Sequence, residues 1–579
     1  MFFASNLKVD VSDSRALDLV IVLGLLLLAG YTFYVTPDFA ANLPQDGGDF
    51  AVSAVNLLER GRPVVSAYGH NFPSSHPFGT SLLLLPAYVL LGHNLGNGIY
   101  SILFCALATI ALTYAIGVRL GGRLCGCFAA LFLITHYGFW EYSQKIMSDV
   151  PSAFLATAAL ALLLATGEAR RAGLFRGAAG ALLGFAVLVR YDSILMLVPA
   201  MLVLPWDGIW RDRARRAGSL LAGVAPFLIV LAVYNQATFG RPWRTSYHYW
   251  GAEMYTNRPL YSVEYITRPG FMRLRAIQEP YPGQTILEGN GTFYLKSLLA
   301  ESDTTRIFGH PLYWQLPGRM IYQTMALART AFGVIGMIAC CVVWRTNFLR
   351  SQFARWLIAA TVLYVVFFLP LASQEERYLL RLVPVFCVAS AIGVTVLFDQ
   401  WPNKVARAAV VGLATTLIVA FAFFNWQMGF PSGSELYVYG TLTETARQIE
   451  SNAVVISNFD PIRVDAFMIR GTDRMAVPLS AERPISLFIG NDSKPTSMEP
   501  FVASKDPEQV RALLQNGRPV YWLINNPWSG RPSTDLEELA RSFRLQVLAT
   551  ASIDGGTQRP YFGRVYNISH NVSRDILTH

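Results

Sequence analysis

Three carboxylates and three guanidiniums are the residues of this chain whose types and settings suit chemistry. Asp46 and Asp49 stand in Gln45-Asp-Gly-Gly-Asp-Phe50, and Asp149 stands in Met147-Ser-Asp-Val-Pro151. A carboxylate in such a place can take a proton from an attacking hydroxyl, or help to hold a cation. Arg190 lies in Leu188-Val-Arg-Tyr-Asp192, and Arg377 and Arg381 lie in Gln374-Glu-Glu-Arg-Tyr-Leu-Leu-Arg381. A planar guanidinium grips a phosphate through two parallel N–H bonds, which lysine does less well. Each residue also has a plainer reading. Asp46 or Asp49 can cap a helix, and Asp149 can cap the helix that Pro151 begins. Arg190 can pair with Asp192, and Arg377 with Glu375 or Glu376. His76, in Ser75-His-Pro-Phe-Gly79, and the pair Glu301 and Asp303 are candidates for an acceptor contact or a cation site, or are solvated loop residues.

The elements that must position these groups are membrane helices. Over 579 residues the chain is 53% hydrophobic and only 15% charged, so the bilayer is its expected solvent. Spans of roughly 20 apolar residues are expected near 19–36, 96–118, 125–140, 150–166, 177–189, 193–204, 217–236, 320–344, 355–371, 378–398 and 405–426. The segments 177–189 and 193–204 are short enough to be tilted or broken, and Thr80 to Leu91 is shorter still, as for an interfacial piece. Lys8 and Arg15 precede the first span and no small-residue cleavage site follows it, which reads as a retained anchor with a cytoplasmic N-terminus. Arginines recur in every second connection: Arg119 and Arg123; Arg170, Arg171 and Arg176; Arg211, Arg213, Arg215 and Arg216; Arg345, Arg350 and Arg355; then Lys404 and Arg407. The positive-inside rule makes these connections cytoplasmic. The net charge of +9 therefore reports topology and not nucleic acid, since the basic residues form no single face or run. The six cysteines, Cys105, Cys125, Cys127, Cys340, Cys341 and Cys387, all fall in or beside apolar segments, with no zinc spacing or disulfide framework.

Two outer loops near 37–79 and 237–319 belong to a membrane part spanning 1–430, and 431–579 read as a soluble extracytoplasmic domain. In the first loop a helix is expected from near Asp49. Phe50, Ala54, Leu57 and Leu58 share one face, and Asp49, Ser53, Asn56 and Arg60 the other, a pattern suited to lying flat on the membrane. The second loop is rich in aromatic and basic residues (Arg241, Trp243, Arg244, Tyr247, Trp250), fit for headgroup contacts or a packed lid. After Trp426, Thr441 with Glu444 makes a capping box, and Asp460-Pro461 and Asp506-Pro507 read as helix starts. The runs Val454 to Ile456, Val520 to Ile524 and Leu545 to Ala549 alternate with them, so this domain is expected to be α/β. Without a Gly-rich phosphate loop or a nucleophile elbow, it reads as a recognition or stabilising module.

The order of these motifs resembles the GT-C glycosyltransferases of the protein O-mannosyltransferase and lipid A aminoarabinose transferase type, over roughly the first 400 residues. Asp46-Gly-Gly-Asp-Phe50, followed by Ala54, Leu57 and Gly61, is similar to that family's acidic motif and interfacial helix. His76-Pro-Phe-Gly79 is similar to its next landmark and Lys145-Ile-Met-Ser-Asp149 to its second acidic position. Arg190-Tyr191 and Arg377-Tyr378-Leu379 resemble its Arg-Tyr turns. Aligned on Ala54 and Gly61, Asp46 and not Asp49 falls on the catalytic acidic position. The chain departs in having Gly47 where many members carry glutamate, and His76 where the aminoarabinose transferases have lysine.

The resemblance implies an α-helical polytopic fold of GT-C type and transfer of a sugar from a polyprenyl-phosphate donor to an acceptor hydroxyl at the outer face, with inversion. Asp46 is then the general base, with Asp149 positioning the acceptor or supporting a cation. Arg190, Arg377 and Arg381 would bind the donor phosphate, and His76, Tyr191 and Tyr378 the substrate. Nucleotide sugars are cytoplasmic whereas these groups are outside, which agrees with a membrane-borne donor and with the absence of an Asp-x-Asp motif. The acceptor is left as a glycan, a lipid or a protein, and a divalent cation stays an open alternative. A bacterial inner membrane is assumed. The sequons at Asn290, Asn491, Asn567 and Asn571 would matter only in a eukaryotic secretory pathway. A transporter or flippase of lipid-linked sugars is the alternative, but it should place ionisable residues in mid-membrane. A scaffold would leave the acid and arginine cluster unexplained.

Overall fold

The apolar runs fold as helices because a backbone in lipid must satisfy its own hydrogen bonds. In a computed structural model of the chain, the described residues are 11–34, 45–67, 70–165, 172–204, 209–247, 351–368, 376–400, 403–428, 446–457, 464–470, 472–478, 511–512, 514–515, 517–526, 543–553 and 561–570. Helix α1 (Val11–Tyr34) leads to α2 (Gln45–Arg60), a hairpin of β1 (Val64–Ala67) and β2 (His70–Pro73), and α3 (Gly79–Leu91). Then come α4 (Ile99–Ile134), α5 (Tyr137–Tyr142), α6 (Asp149–Ala165), α7 (Ala172–Val189), α8 (Leu197–Val203) and α9 (Trp210–Phe239). After 351 follow α10 (Gln352–Phe368), α11 (Val383–Gln400) and α12 (Lys404–Met428). Lipid-length apolar helices and exposed side chains such as Leu19, Leu27, Ile229 and Val233 make this a multi-pass membrane protein.

Local sequence explains several boundaries. The spans expected at 96–118 and 125–140 are two helical segments of α4 that meet at Gly122, whose φ of 81° only glycine adopts readily; a Cβ on Gly117 would stand 2.8 Å from the Gly126 Cα, so the second segment folds back along the first. It stops at Ile134 because His136 caps the short α5, accepting the Phe139 N–H at 3.3 Å. The span expected at 193–204 is a 3-10 turn, Tyr191–Met196, running into α8. Helix α2 starts at Gln45, one turn before the expected point, so Asp49 lies inside it.

Packing encloses most of α2. On its polar face Asp49, Ser53 and Asn56 are as buried as Phe50 and Ala54 of its apolar face, while Arg60 at its end is exposed. The hairpin and α3 cover that face: Asn56 Nδ2 donates to the Val64 carbonyl at 2.9 Å, and Ser81 Oγ to the Phe50 carbonyl at 3.2 Å. Two cores result. One joins α1, α2, α3 and α4 around Phe33, Phe50, Tyr88 and Phe139. The other joins α4, α6, α7, α8, α10 and α11 around Phe353, Trp356 and Tyr364.

Beyond 446, five strands form one sheet in the order β4-β3-β5-β7-β6: β3 (Val454–Ser457), β4 (Met475–Pro478), β5 (Val520–Asn526), β6 (Phe543–Ile553) and β7 (Tyr561–His570). The β3 strand is parallel to β4 and β5, with Val454 opposite both Met475 and Val520. The strand β7 pairs antiparallel with both β5 and β6. The sheet unit touches the membrane part where Arg470 Nη2 meets Glu59 Oε2 of α2 at 2.5 Å. The expected span 320–344, the helix starts at Thr441, Asp460 and Asp506, and the pair Glu301 and Asp303 lie outside the described residues.

Candidate active site

The site is built at the ends of α2, α6 and α7 and in the turn before α11. Asp49, in the second turn of α2, is held by the strand that returns from the hairpin. Ser74 Oγ donates to its Oδ1 at 2.8 Å, and the Ser75 backbone N–H donates to its Oδ2 at 2.9 Å, joined there by the Ser75 hydroxyl. The capping reading therefore does not hold for Asp49: its acceptor oxygens are turned to a neighbouring segment. Burial raises the Asp49 carboxyl above its ordinary range, although His76 and the two serines pull the other way. Asp46 lies three residues earlier in the same helix.

On the far side, Asp149 begins α6 and receives a hydrogen bond from Arg190 Nη1, which makes it an ion-pair partner. Arg190 follows α7 and also reaches Asp192 Oδ1 through Nε at 3.4 Å. Asp192 in turn takes Arg381 Nη2 at 2.9 Å on Oδ1 and 2.8 Å on Oδ2. Arg381 spends its remaining nitrogens on Ser152 Oγ, at 2.8 Å from Nε, and on the Tyr364 hydroxyl. With 2% of its surface exposed, it is a strut between α6, α10 and the turn at Asp192. Burial alone would raise the Asp192 carboxyl, but Arg381 and Arg190 hold it below the usual range. Burial opposes the charge on Arg190, and Asp149 and Asp192 more than offset it. Arg190 lies 5.6 Å from the centre of the Tyr378 ring and Arg377, half-buried, 5.9 Å from the same ring.

Aromatic rings connect the two sides. Phe50 lies 4.8 Å from the His76 ring, His76 lies edge-on to Tyr247 at 6.1 Å, and Tyr247 lies edge-on to Tyr191 at 5.3 Å. The Tyr191 hydroxyl is 3.1 Å from Ser246 Oγ. Glycine makes the junction possible: a Cβ on Gly79 would stand 2.4 Å from the Leu188 carbonyl carbon, so α3 abuts the end of α7. Thr80 Oγ1 adds a bond to the Val189 carbonyl at 3.3 Å.

The structure thus brings Asp49, His76, Tyr191, Arg190, Asp149, Tyr378, Arg377 and Arg381 into one region. Sequence reasoning missed Ser74, Ser75, Ser152, Ser246 and Tyr364, and weighed Asp192 only as a partner of Arg190. No local signal ties Ser75 to Asp49, 26 residues away, or Ser152 to Arg381. Among the described residues, no group of three or more His, Cys, Asp or Glu is placed to hold a metal ion.

Residues 75–234, which carry His76, Asp149 and Arg190, match the family described as dolichyl-phosphate-mannose-protein mannosyltransferase. ArnT from Cupriavidus metallidurans in the apo state superimposes with a TM-score of 0.53 at 14% identity, covering 94% of this chain and 97% of that one. ArnT bound to undecaprenyl phosphate gives 0.52 at 14% identity over the same shares. The archaeal oligosaccharyltransferase AglB from Archaeoglobus fulgidus, in complex with an inhibitory peptide and a dolichol-phosphate, gives 0.53 at 13% identity, covering 88% of this chain and 70% of that one. No curated protein sequence matches. At these identities the likeness to the solved structures is one of fold, and the resemblance to the GT-C glycosyltransferases drawn from short motifs holds at that level.

Proposed function

We propose that this protein is a membrane glycosyltransferase that moves a sugar from a polyprenyl-phosphate carrier to an acceptor hydroxyl on the extracytoplasmic face. The observation that carries the reading is the continuous wall from the buried Asp49, through His76, Tyr247 and Tyr191, to the arginine corner of Arg190. It sets a carboxylate helix and guanidiniums on one surface, as attack and departure at a single carbon require. The matched family and the lipid phosphates bound by ArnT and AglB support the donor class.

In the reaction the acceptor oxygen bonds to the anomeric carbon, the bond from that carbon to the phosphate oxygen breaks, and the hydroxyl proton passes to a carboxylate. The phosphate is already a weak base and needs little protonation, so one general base suffices. Asp46 takes that role, with Asp49 beside it as the buried alternate. Asp149, committed to Arg190, positions the arginine. Arg377 and Arg190, which share the Tyr378 ring, meet the charge gathering on the departing phosphate, an effect of about 3 kcal/mol. Arg381 keeps Asp192 and Arg190 in place, and His76, Tyr191 and Tyr378 line the substrate path. The same reading has about eleven spans in a cell inner membrane, a cytoplasmic N-terminus, and residues 431–579 as an extracytoplasmic α/β domain. The acceptor is a glycan, a lipid or a protein of the envelope.

Transfer of radiolabelled sugar from a panel of polyprenyl-phosphate sugars, in membranes carrying wild-type, Asp46→Asn or Asp49→Asn protein at matched expression, tests this. Labelled product from wild type and a loss of at least about 100-fold in Asp46→Asn are expected. A loss confined to Asp49→Asn would move the base one turn along α2. No product across the panel would overturn the transferase.

A further inference from the structure

The opposite end of α7 carries a second charged feature that the transfer chemistry does not use. Arg176 lies in the second turn of α7, and Arg190 follows its last residue, so the two stand about 21 Å apart along the axis. Helix α9 runs beside α7 in the same direction. A Cβ on Gly180 would fall 2.0 Å from the Leu220 carbonyl oxygen, and one on Gly223 2.0 Å from that of Gly177, so the backbones touch. Farther along, Gly184 faces Val224 in the same register.

This parallel contact forces like charges together. Arg176 is partly buried beside Arg215 and Arg216 of α9, near enough for their charges to act on it. Its Nε is shut off from solvent and has no hydrogen-bond partner among the described residues. On these two helices Arg176, Arg211, Arg213, Arg215 and Arg216 face one carboxylate, Asp212, which is exposed. Both helices begin here, and their aligned dipoles add positive potential. The flanks are apolar and open: Leu174 is 66% exposed, Leu221 47% and Trp210 73%. Convergent guanidiniums bordered by lipid-facing leucines and an interfacial tryptophan fit a ligand with an anionic head and apolar chains.

We propose that the α7–α9 seam at this end binds the phosphodiester headgroup of an anionic membrane lipid, through Arg176, Arg215 and Arg216. The headgroup offsets the repulsion that close helix contact creates and gives the enclosed Arg176 Nε an acceptor. The site depends on the membrane reading alone and stands whether or not the opposite end transfers sugar.

The test measures association of spin-labelled phosphatidylglycerol, relative to spin-labelled phosphatidylcholine, with the purified full-length protein in mixed vesicles. Wild type should prefer phosphatidylglycerol, and the triple variant Arg176→Gln, Arg215→Gln, Arg216→Gln should lose at least about fivefold of that preference. The single variant Arg215→Gln, at an exposed position, should show a smaller loss in the same direction and guards against misfolding of the triple. A control pair, Arg211→Gln with Arg213→Gln, should keep most of the preference. Equal losses per charge in the two sets would mean diffuse surface attraction and overturn the site, as would no preference in wild type. Displacement of the lipid by inorganic phosphate at constant ionic strength would also overturn it, in favour of a free-anion pocket.

Discussion

Arg381 and Arg377 stand four residues apart and look alike in sequence, yet their surroundings give them different work. Arg381 distributes its nitrogens over Ser152, Tyr364 and Asp192, and little of it reaches solvent. Arg377 is half-buried beside the Tyr378 ring that also faces Arg190. Lysine cannot reach three partners on three elements from one ammonium, so Arg381→Lys should leave part of a buried network unpaired, at a cost of about 3 kcal/mol. Thermal unfolding in detergent should show a lowered Tm, with the donor KM of the protein that stays folded unchanged. Arg377→Gln should do the reverse: Tm within a degree or two of wild type, and a donor KM raised about tenfold. A donor KM raised by Arg381→Lys at unchanged Tm would return that residue to the phosphate.

The contact between α3 and α7 shows how an element places a side chain that it does not carry. His76 precedes α3 by three residues, and Tyr191 follows α7 by two. The separation of their rings through Tyr247 therefore depends on how closely the two helix ends approach, and that approach is set by the missing Cβ of Gly79. In Gly79→Ala the methyl would meet the Leu188 and Val189 backbone, which cannot swing aside as a side chain can. A cost of about 2 kcal/mol is expected, read as a lowered Tm, together with a fall in transfer because the aromatic wall opens. Gly173→Ala, where nothing lies within 4 Å, should behave as wild type in both measurements.

For the whole molecule, the proposed topology puts the two ends of α7 in different compartments and the sheet unit on the side of Arg190. Arg470 and Glu59 join that unit to α2, and because the pair is partly exposed it fixes position more than it adds stability. Topology is open to direct labelling: in a cysteine-free background, Gly173→Cys and Asp473→Cys, both at exposed positions, should react with an impermeant maleimide from opposite sides of the membrane. Reaction of both from one side would overturn the placement of the C-terminal unit.

The sequence by itself determined what depends on composition and spacing along the chain. Runs of apolar residues must become helices in lipid, so spans such as 150–166, 355–371 and 405–426 were legible to within a turn, and the strands beginning at Val454 and Val520 were visible as short apolar runs. Asp149, Arg190 and the arginines of 376–382 stood out because charge at the end of an apolar run needs a reason. What only the tertiary structure decided is who meets whom. Asp49 faces Ser74 and Ser75 because a hairpin folds back over α2, and the polar face that looked solvent-bound is closed by that hairpin. The ladder from Asp149 through Arg190 and Asp192 to Arg381 joins residues up to 189 positions apart, and no periodicity encodes such a pairing. Burial then sorted chemically equal residues, leaving Arg377 half-buried beside Tyr378 and turning Arg381 into a strut.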